Sequence, residues 1–149
     1  MNTSQLELLR PMFFMVFVTF VVWVYMYFLR ITHMRKKKIH PEKLKLAGAQ
    51  ADELLRDVDH PSDNFVNLFE VPVLFYVAIL VTIVTNQTSD LLIGLAWAYV
   101  ALRALHSLIH CTYNRVLHRF FSYFLSTLVL AGYWIVLWVD YANRSLGKS

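Results

Sequence analysis

The side chains best able to do chemistry in this chain gather in one apolar stretch, Trp97 to Tyr123, where Arg103, His106, Ser107, His110 and Asn114 interrupt aliphatic and aromatic residues. On a helix turning roughly 100° per residue, with Arg103 at zero, His106 falls about 60° to one side, Ser107 about 40° to the other, and His110 and Asn114 about 20° either way. All the polar groups therefore share a face. If the helix enters a bilayer near Leu91, Arg103 sits about 18 Å along its axis, past the middle of a hydrocarbon layer roughly 30 Å thick. An unpaired guanidinium at that depth costs about 3 kcal/mol or more, so Arg103 must face protein or water and find a partner.

Glu70 is the expected partner. Asp63, Asn67 and Glu70 are spaced i, i+4, i+7 and so share a helix face. A short connection joins that segment to the Arg103 helix, which places the two side by side. A Glu70–Arg103 ion pair reads either as a registry pin or as one wall of a polar cavity that also holds Asn67, His106 and His110. The i, i+4 spacing of His106 and His110 suits a shared metal, but no third ligand of matching type is evident, so hydrogen bonding to a ligand or a neighbouring helix is the expectation and no metal is assigned. Arg115 and Arg119 read either as topology signals or, for Arg119 with Tyr123 one turn on, as an anion site at a helix start that holds and polarises a thiolate or carboxylate.

Positioning these groups requires membrane-crossing helices. The 149 residues are 58% hydrophobic with mean hydropathy +0.48 and a net charge of +4, too little polar surface for a soluble domain and enough apolar length for several spans. The apolar segments are continuous rather than alternating, which argues against a β-barrel. The expected class is all-α: a single-domain (residues 1–149) integral membrane four-helix bundle with spans at about 11–29, 64–85, 91–111 and 120–139. Pro72, two residues after Glu70, should bend the second span or free a carbonyl near the site. The first span is read as retained rather than cleaved, because basic residues and not small ones follow it.

Eight of the fourteen basic residues fall between Arg30 and Pro61. By the positive-inside rule that loop is cytoplasmic, as is the Arg115–Arg119 connection, and both termini lie on the other side. The run Arg35–Lys38 reads as a solvated headgroup contact or as a recruiter of anionic substrate, not as a nucleic-acid site. The acidic half of the loop, Gly48 to Asp59, is helix-permissive and suits a short surface helix. Trp134, Trp138 and Tyr141 read as interfacial anchors. A single cysteine, Cys111, excludes an internal disulfide and a cysteine-pair relay.

Taken together, a first span ending in basic residues and a His40-Pro41-Glu42 turn, Asn67-x-x-Glu70 with a proline close behind, and Arg103-x-x-His106 followed by Arg119 resemble the MAPEG family, the membrane-associated proteins in eicosanoid and glutathione metabolism. The resemblance covers nearly the whole chain. It implies a homotrimer binding glutathione between subunits near the cytoplasmic side, with Asn67, Glu70 and His106 holding glutathione, Arg119 activating its thiol and Tyr123 lining the site. The chain departs from the pattern at Asp63 and Val66, where arginines are usual, at His110, where a tyrosine is usual, and in the short interval from Glu70 to Pro72. Loss of two cationic contacts should weaken the hold on glutathione's carboxylates. The resemblance is thus to a divergent member, expected in a bacterial inner membrane.

The functional expectation is an integral membrane transferase or peroxidase using glutathione or a related thiol on lipophilic electrophiles that enter from the bilayer. The alternative is a non-catalytic trimeric module that binds lipid or a protein partner.

Overall fold

The computed structural model describes residues 3–44 and 53–147. Lys45 and the Gly48–Asp52 part of the expected surface helix lie outside them. Among the described residues five helices carry the fold: α1 (Thr3–Lys37), α2 (His60–Asn67), α3 (Val71–Val84), α4 (Asp90–Cys111) and α5 (Val116–Ser145). Short 3-10 turns lie at Pro41–Leu44 and Arg56–Val58. With α2 and α3 forming one interrupted crossing, four segments among the described residues are long and apolar enough to cross a membrane. The architecture is the expected all-α four-helix bundle.

Helix α1 shows how one apolar sequence serves two environments. Leu8, Pro11, Met15, Val22 and Met26 recur at intervals of three, four or seven and form a narrow inward stripe, while Phe13, Phe17, Phe20 and Phe28 stay exposed on the outward face. The stripe packs on the bundle and the wide aromatic face is left for lipid. The helix extends beyond the expected 11–29 at both ends, because its polar flanks continue the backbone ladder outside the apolar layer. Its basic end is tied down by the acidic segment that follows. Arg30 Nη2 donates to Asp59 Oδ1 at 2.6 Å and to Ser62 Oγ at 3.0 Å, Lys37 Nζ donates to Asp57 Oδ2 at 2.8 Å, and the buried His33 Nε2 lies 3.0 Å from Leu54 O.

The second crossing is not the continuous helix 64–85 of the sequence reading. It breaks at Leu68–Glu70 and restarts at Val71, with Pro72 in the first turn of α3. Pro72 has no N–H to give Leu68 O, and its ring clashes with that carbonyl in a continuous helix. Leu68 N and Phe69 N close the end of α2 on Asn64 O, Phe65 O and Val66 O. The carbonyl of Asn67 is thereby released from the helical ladder.

Helices α4 and α5 make the most extensive packing in the bundle, α4 lies against α1 and α2, and α3 leans on α5. Between α3 and α4, Phe75 and Tyr99 stack with ring centroids 4.6 Å apart. Thr82 and Tyr133 hydroxyls join α3 to α5 at 2.8 Å in a fully buried contact. At the far end Arg144 Nη1 donates to Asn86 O at 3.1 Å, and Gln5 Nε2 donates to Asn86 Oδ1 at 2.7 Å. The last helix starts at Val116, not near Phe120. The charged residues 118 and 119, read as loop, form its first turn, where a helix can meet the interface with polar side chains.

Candidate functional site

The tight connection after α4 builds the site. Asn114 adopts a positive φ of 50° and its N–H closes on Ile109 O at 2.9 Å, a reversal that asparagine tolerates better than most residues. Arg115 then takes an extended conformation and caps α5. This turn brings the beginning of α5 back against the end of α4, so Arg119 meets His106 and His110.

A cavity of about 210 Å³ opens there, lined by Asn67, His106, His110, Val116, Arg119, Phe120 and Tyr123. Arg103 lies behind it, fully buried. Of the residues singled out in the sequence, Asn67, His106, His110, Arg119 and Tyr123 thus share one cavity with Arg103 at its back, and Glu70 does not line it.

Arg103 has a different partner from the one expected. Its Nη2 donates to Asn67 O at 2.6 Å, and its guanidinium carbon sits 4.9 Å from the centre of the Tyr123 ring. Glu70 is exposed at the N-terminus of α3 (φ −94°, ψ −103°), and among the described residues the ion pairs are Arg30–Asp59 and Lys37–Asp57. The Glu70–Arg103 ion pair is therefore corrected. The helix break turns Glu70 off the face it would share with Asn67, while offering the guanidinium a carbonyl that lies closer. Nε and Nη1 of Arg103 remain buried without a hydrogen-bond partner.

Arg119 organises the mouth. Its Nη1 donates to Asn114 Oδ1 at 2.8 Å and to His110 Nε2 at 2.9 Å, and its carbonyl lies 3.1 Å from His106 Nδ1. The His106 ring meets those of His110 and Tyr123 edge-on, each with centroids 5.6 Å away. His106 Nε2 and His110 Nδ1 are both buried without a partner. Among the described residues no group of three histidine, cysteine or carboxylate side chains suited to a metal includes them. Arg119 lines a cavity whose lining includes no carboxylate, and the guanidinium of Arg103 is buried against Tyr123 beside it, an electrostatic environment that favours an anion.

Three contributors were given no role from sequence. Asn114 was placed on the polar face without a role, yet its amide oxygen fixes Arg119. Ser122 sits beneath His106, with Oγ 3.5 Å from Nδ1. Asn64 is fully buried, accepts from Ser107 Oγ at 3.4 Å and donates to Cys111 Sγ at 3.5 Å, joining α2 to α4. Only the i, i+3 step from Asn64 to Asn67 hinted that it faces inward.

Among curated proteins and solved structures, none matches the chain closely enough to show a relationship. The family model described as the MAPEG family matches residues 8–139, a span that takes in the inward stripe of α1, the broken second crossing, the Arg103–His106–His110 face and the whole of the α4–α5 turn. The chain is thus an integral, multi-pass membrane protein that belongs to the MAPEG family, whose members act in glutathione and eicosanoid metabolism.

Proposed function

We propose that the protein is a thiol-dependent transferase or peroxidase that binds glutathione or a related thiol in the cavity between α4 and α5 and acts on a lipophilic electrophile from the bilayer. The observation carrying this reading is a cavity lined by Arg119 and by no carboxylate, with buried polar atoms of His106 and His110 in its lining and of the adjacent Arg103 left without partners. Buried polar groups ordinarily have a partner, so these four atoms fit a polar, anionic ligand.

Asn67 and His110 would hold such a ligand through hydrogen bonds, with Tyr123 and His106 as walls and Arg103 supplying positive charge from behind. Glu70, on the rim side, would meet the ligand's amine if the ligand extends past Asn67. Bound glutathione supplies the sulfur nucleophile. Arg119 stabilises negative charge on sulfur, and its two side-chain hydrogen bonds hold the guanidinium ready for that task. A cavity of 210 Å³ is small for a tripeptide, while Val116, Leu117, Phe120, Phe121 and Phe124 beside it are exposed. A second copy of the chain packed on this face would deepen the cavity, in keeping with a homotrimer. By the positive-inside rule the site opens toward the cytoplasm and both termini lie on the opposite side.

Purified protein in detergent, given glutathione and an activated aryl halide, should form the conjugate, and glutathione should raise its melting temperature. Conjugation at the wild-type rate in Arg119→Ala would remove Arg119 from the mechanism. Absence of both conjugation and a thermal shift would favour a non-catalytic module binding lipid or a protein partner, a reading to which the exposed Asp63 and Val66 lend support.

A further inference from the structure

We infer that His106 Nε2 is the proton acceptor for the bound thiol, and that Arg119 creates this acceptor by fixing the tautomers of both histidines. The inference rests on the thiol-dependent reading above.

The two rings are held in complementary ways by one residue. The Arg119 carbonyl, 3.1 Å from His106 Nδ1, only accepts, so Nδ1 carries the proton. Ser122 agrees with this, since its hydroxyl has carbonyl acceptors at His118 (2.9 Å) and Arg119 (3.0 Å), leaving its oxygen to accept from Nδ1. His106 Nε2 is then a lone pair. With no negative charge in the cavity, a second proton there would place a third cation beside Arg103 and Arg119, and only a thiolate formed at the same moment offsets it.

His110 has the opposite arrangement. A guanidinium only donates, so Arg119 Nη1 at 2.9 Å requires a lone pair on His110 Nε2 and puts the ring proton on Nδ1. The main chain and side chain of Arg119 together present an unpartnered acceptor on one ring and an unpartnered donor on the next, both buried. The titratable and charged groups around His106 are Arg103 and His110 on its own helix and Arg119 and Tyr123 on α5.

A thiol matches this pair. The S–H bond breaks, its proton bonds to His106 Nε2, and the electron pair stays on sulfur beside Arg119 and within reach of the His110 N–H. Sulfur then forms a bond to the electrophilic carbon. The displaced electron pair either departs with the leaving group, the imidazolium then releasing its proton to water, or takes the proton back from the imidazolium, and either course restores the neutral ring.

His106→Asn separates this role from folding, because the asparagine amide can still donate to the Arg119 carbonyl but has no atom in place of Nε2. With the full-length protein in detergent, glutathione should still raise the melting temperature of the variant. The ultraviolet thiolate absorbance that accompanies binding to the wild type should vanish near neutral pH. Conjugation should fall about a hundredfold or more and recover as rising pH ionises the thiol unaided. Thiolate formation in the variant equal to wild type overturns the role of His106 and leaves the proposed function standing. A folded variant that no longer binds glutathione also overturns it, making His106 a holding contact. Wild type with neither binding nor thiolate overturns both. If the variant does not fold, nitrogen-15 spectra of imidazole-labelled wild type decide. Protons on Nδ1 of both rings support the inference, and a proton on Nε2 of His106 overturns it.

Discussion

Arg103 Nη2 donates to the main-chain carbonyl of Asn67 at 2.6 Å, so the buried cation of α4 is held by the gap in the second crossing and not by a carboxylate. A chain break that costs α2–α3 part of its hydrogen-bond ladder becomes, in this setting, the acceptor that a guanidinium at membrane depth requires. The contact leaves Arg103 outside the ion pairs found among the described residues and two of its nitrogens without a hydrogen-bond partner.

Arg103→Met tests what that charge is for. Losing the donor to Asn67 O costs about 1–3 kcal/mol, whereas taking a cation out of the membrane interior relieves about 2.5–3.5 kcal/mol. The two effects nearly offset, so the variant should melt within a few degrees of wild type in detergent while the thermal shift produced by glutathione disappears. A collapse in melting temperature with the glutathione shift intact would assign Arg103 to helix registry alone.

Much of this arrangement was legible in the sequence. The common face of Arg103, His106 and His110 follows from 3.6-residue periodicity, whereas Asn114 lies past the helix end at Cys111 and not on that face; Pro72 announced a freed carbonyl. Glu70 was misplaced for the same physical reason that Pro72 was read correctly. Periodicity assumes a continuous helix, and once the ladder breaks after Asn67 the angle from Asn67 to Glu70 is no longer set by residue count. Asn114 was opaque because its role depends on a positive φ that no periodic pattern reports. The early start of α5 was hidden by charge, since Arg115, His118 and Arg119 read as loop when only the innermost part of a crossing must be apolar.

Asn114→Gly isolates the bond that holds Arg119. Glycine accepts the φ of 50° without strain, so the turn should still form and the variant should lose only the stability carried by the bond itself. A hydrogen bond to a charged group contributes about 1.5–3 kcal/mol, and if its loss lets Arg119 swing away from sulfur in the transition state, conjugation should fall tenfold or more. The decrease should appear in kcat more than in KM. Unaltered kcat in steady-state kinetics would mean that His110 alone suffices to place Arg119.

At the basic end, Lys37 holds the Asp57 carboxyl below the ordinary carboxylate range, first through its hydrogen bond and then through its positive charge. A carboxyl whose folded value is depressed adds stability that is present above its unfolded value and is lost as pH falls through the folded one. Carbon-13 titration of the Asp57 side chain should therefore show a midpoint below that of an unstructured aspartate, returning to the ordinary value in Lys37→Met. Because the pair is exposed, high salt should produce much of the same return. A midpoint indifferent to both changes would show that the acidic segment does not dock on α1 in solution.

The Thr82–Tyr133 contact between α3 and α5 should respond unequally to its two deletions. Thr82 Oγ1 also donates to Ala78 O at 2.8 Å, so Tyr133→Phe leaves the threonine satisfied and removes only a bond of about 1 kcal/mol. Thr82→Val instead strands the Tyr133 hydroxyl in the core with no acceptor, a penalty of about 1–3 kcal/mol. With both residues fully buried, water cannot enter to replace the missing partner. Thermal melts in detergent should accordingly place Thr82→Val clearly below Tyr133→Phe. The reverse order would mean that the tyrosine donates and the threonine hydroxyl depends on it, which the short Thr82–Ala78 bond argues against.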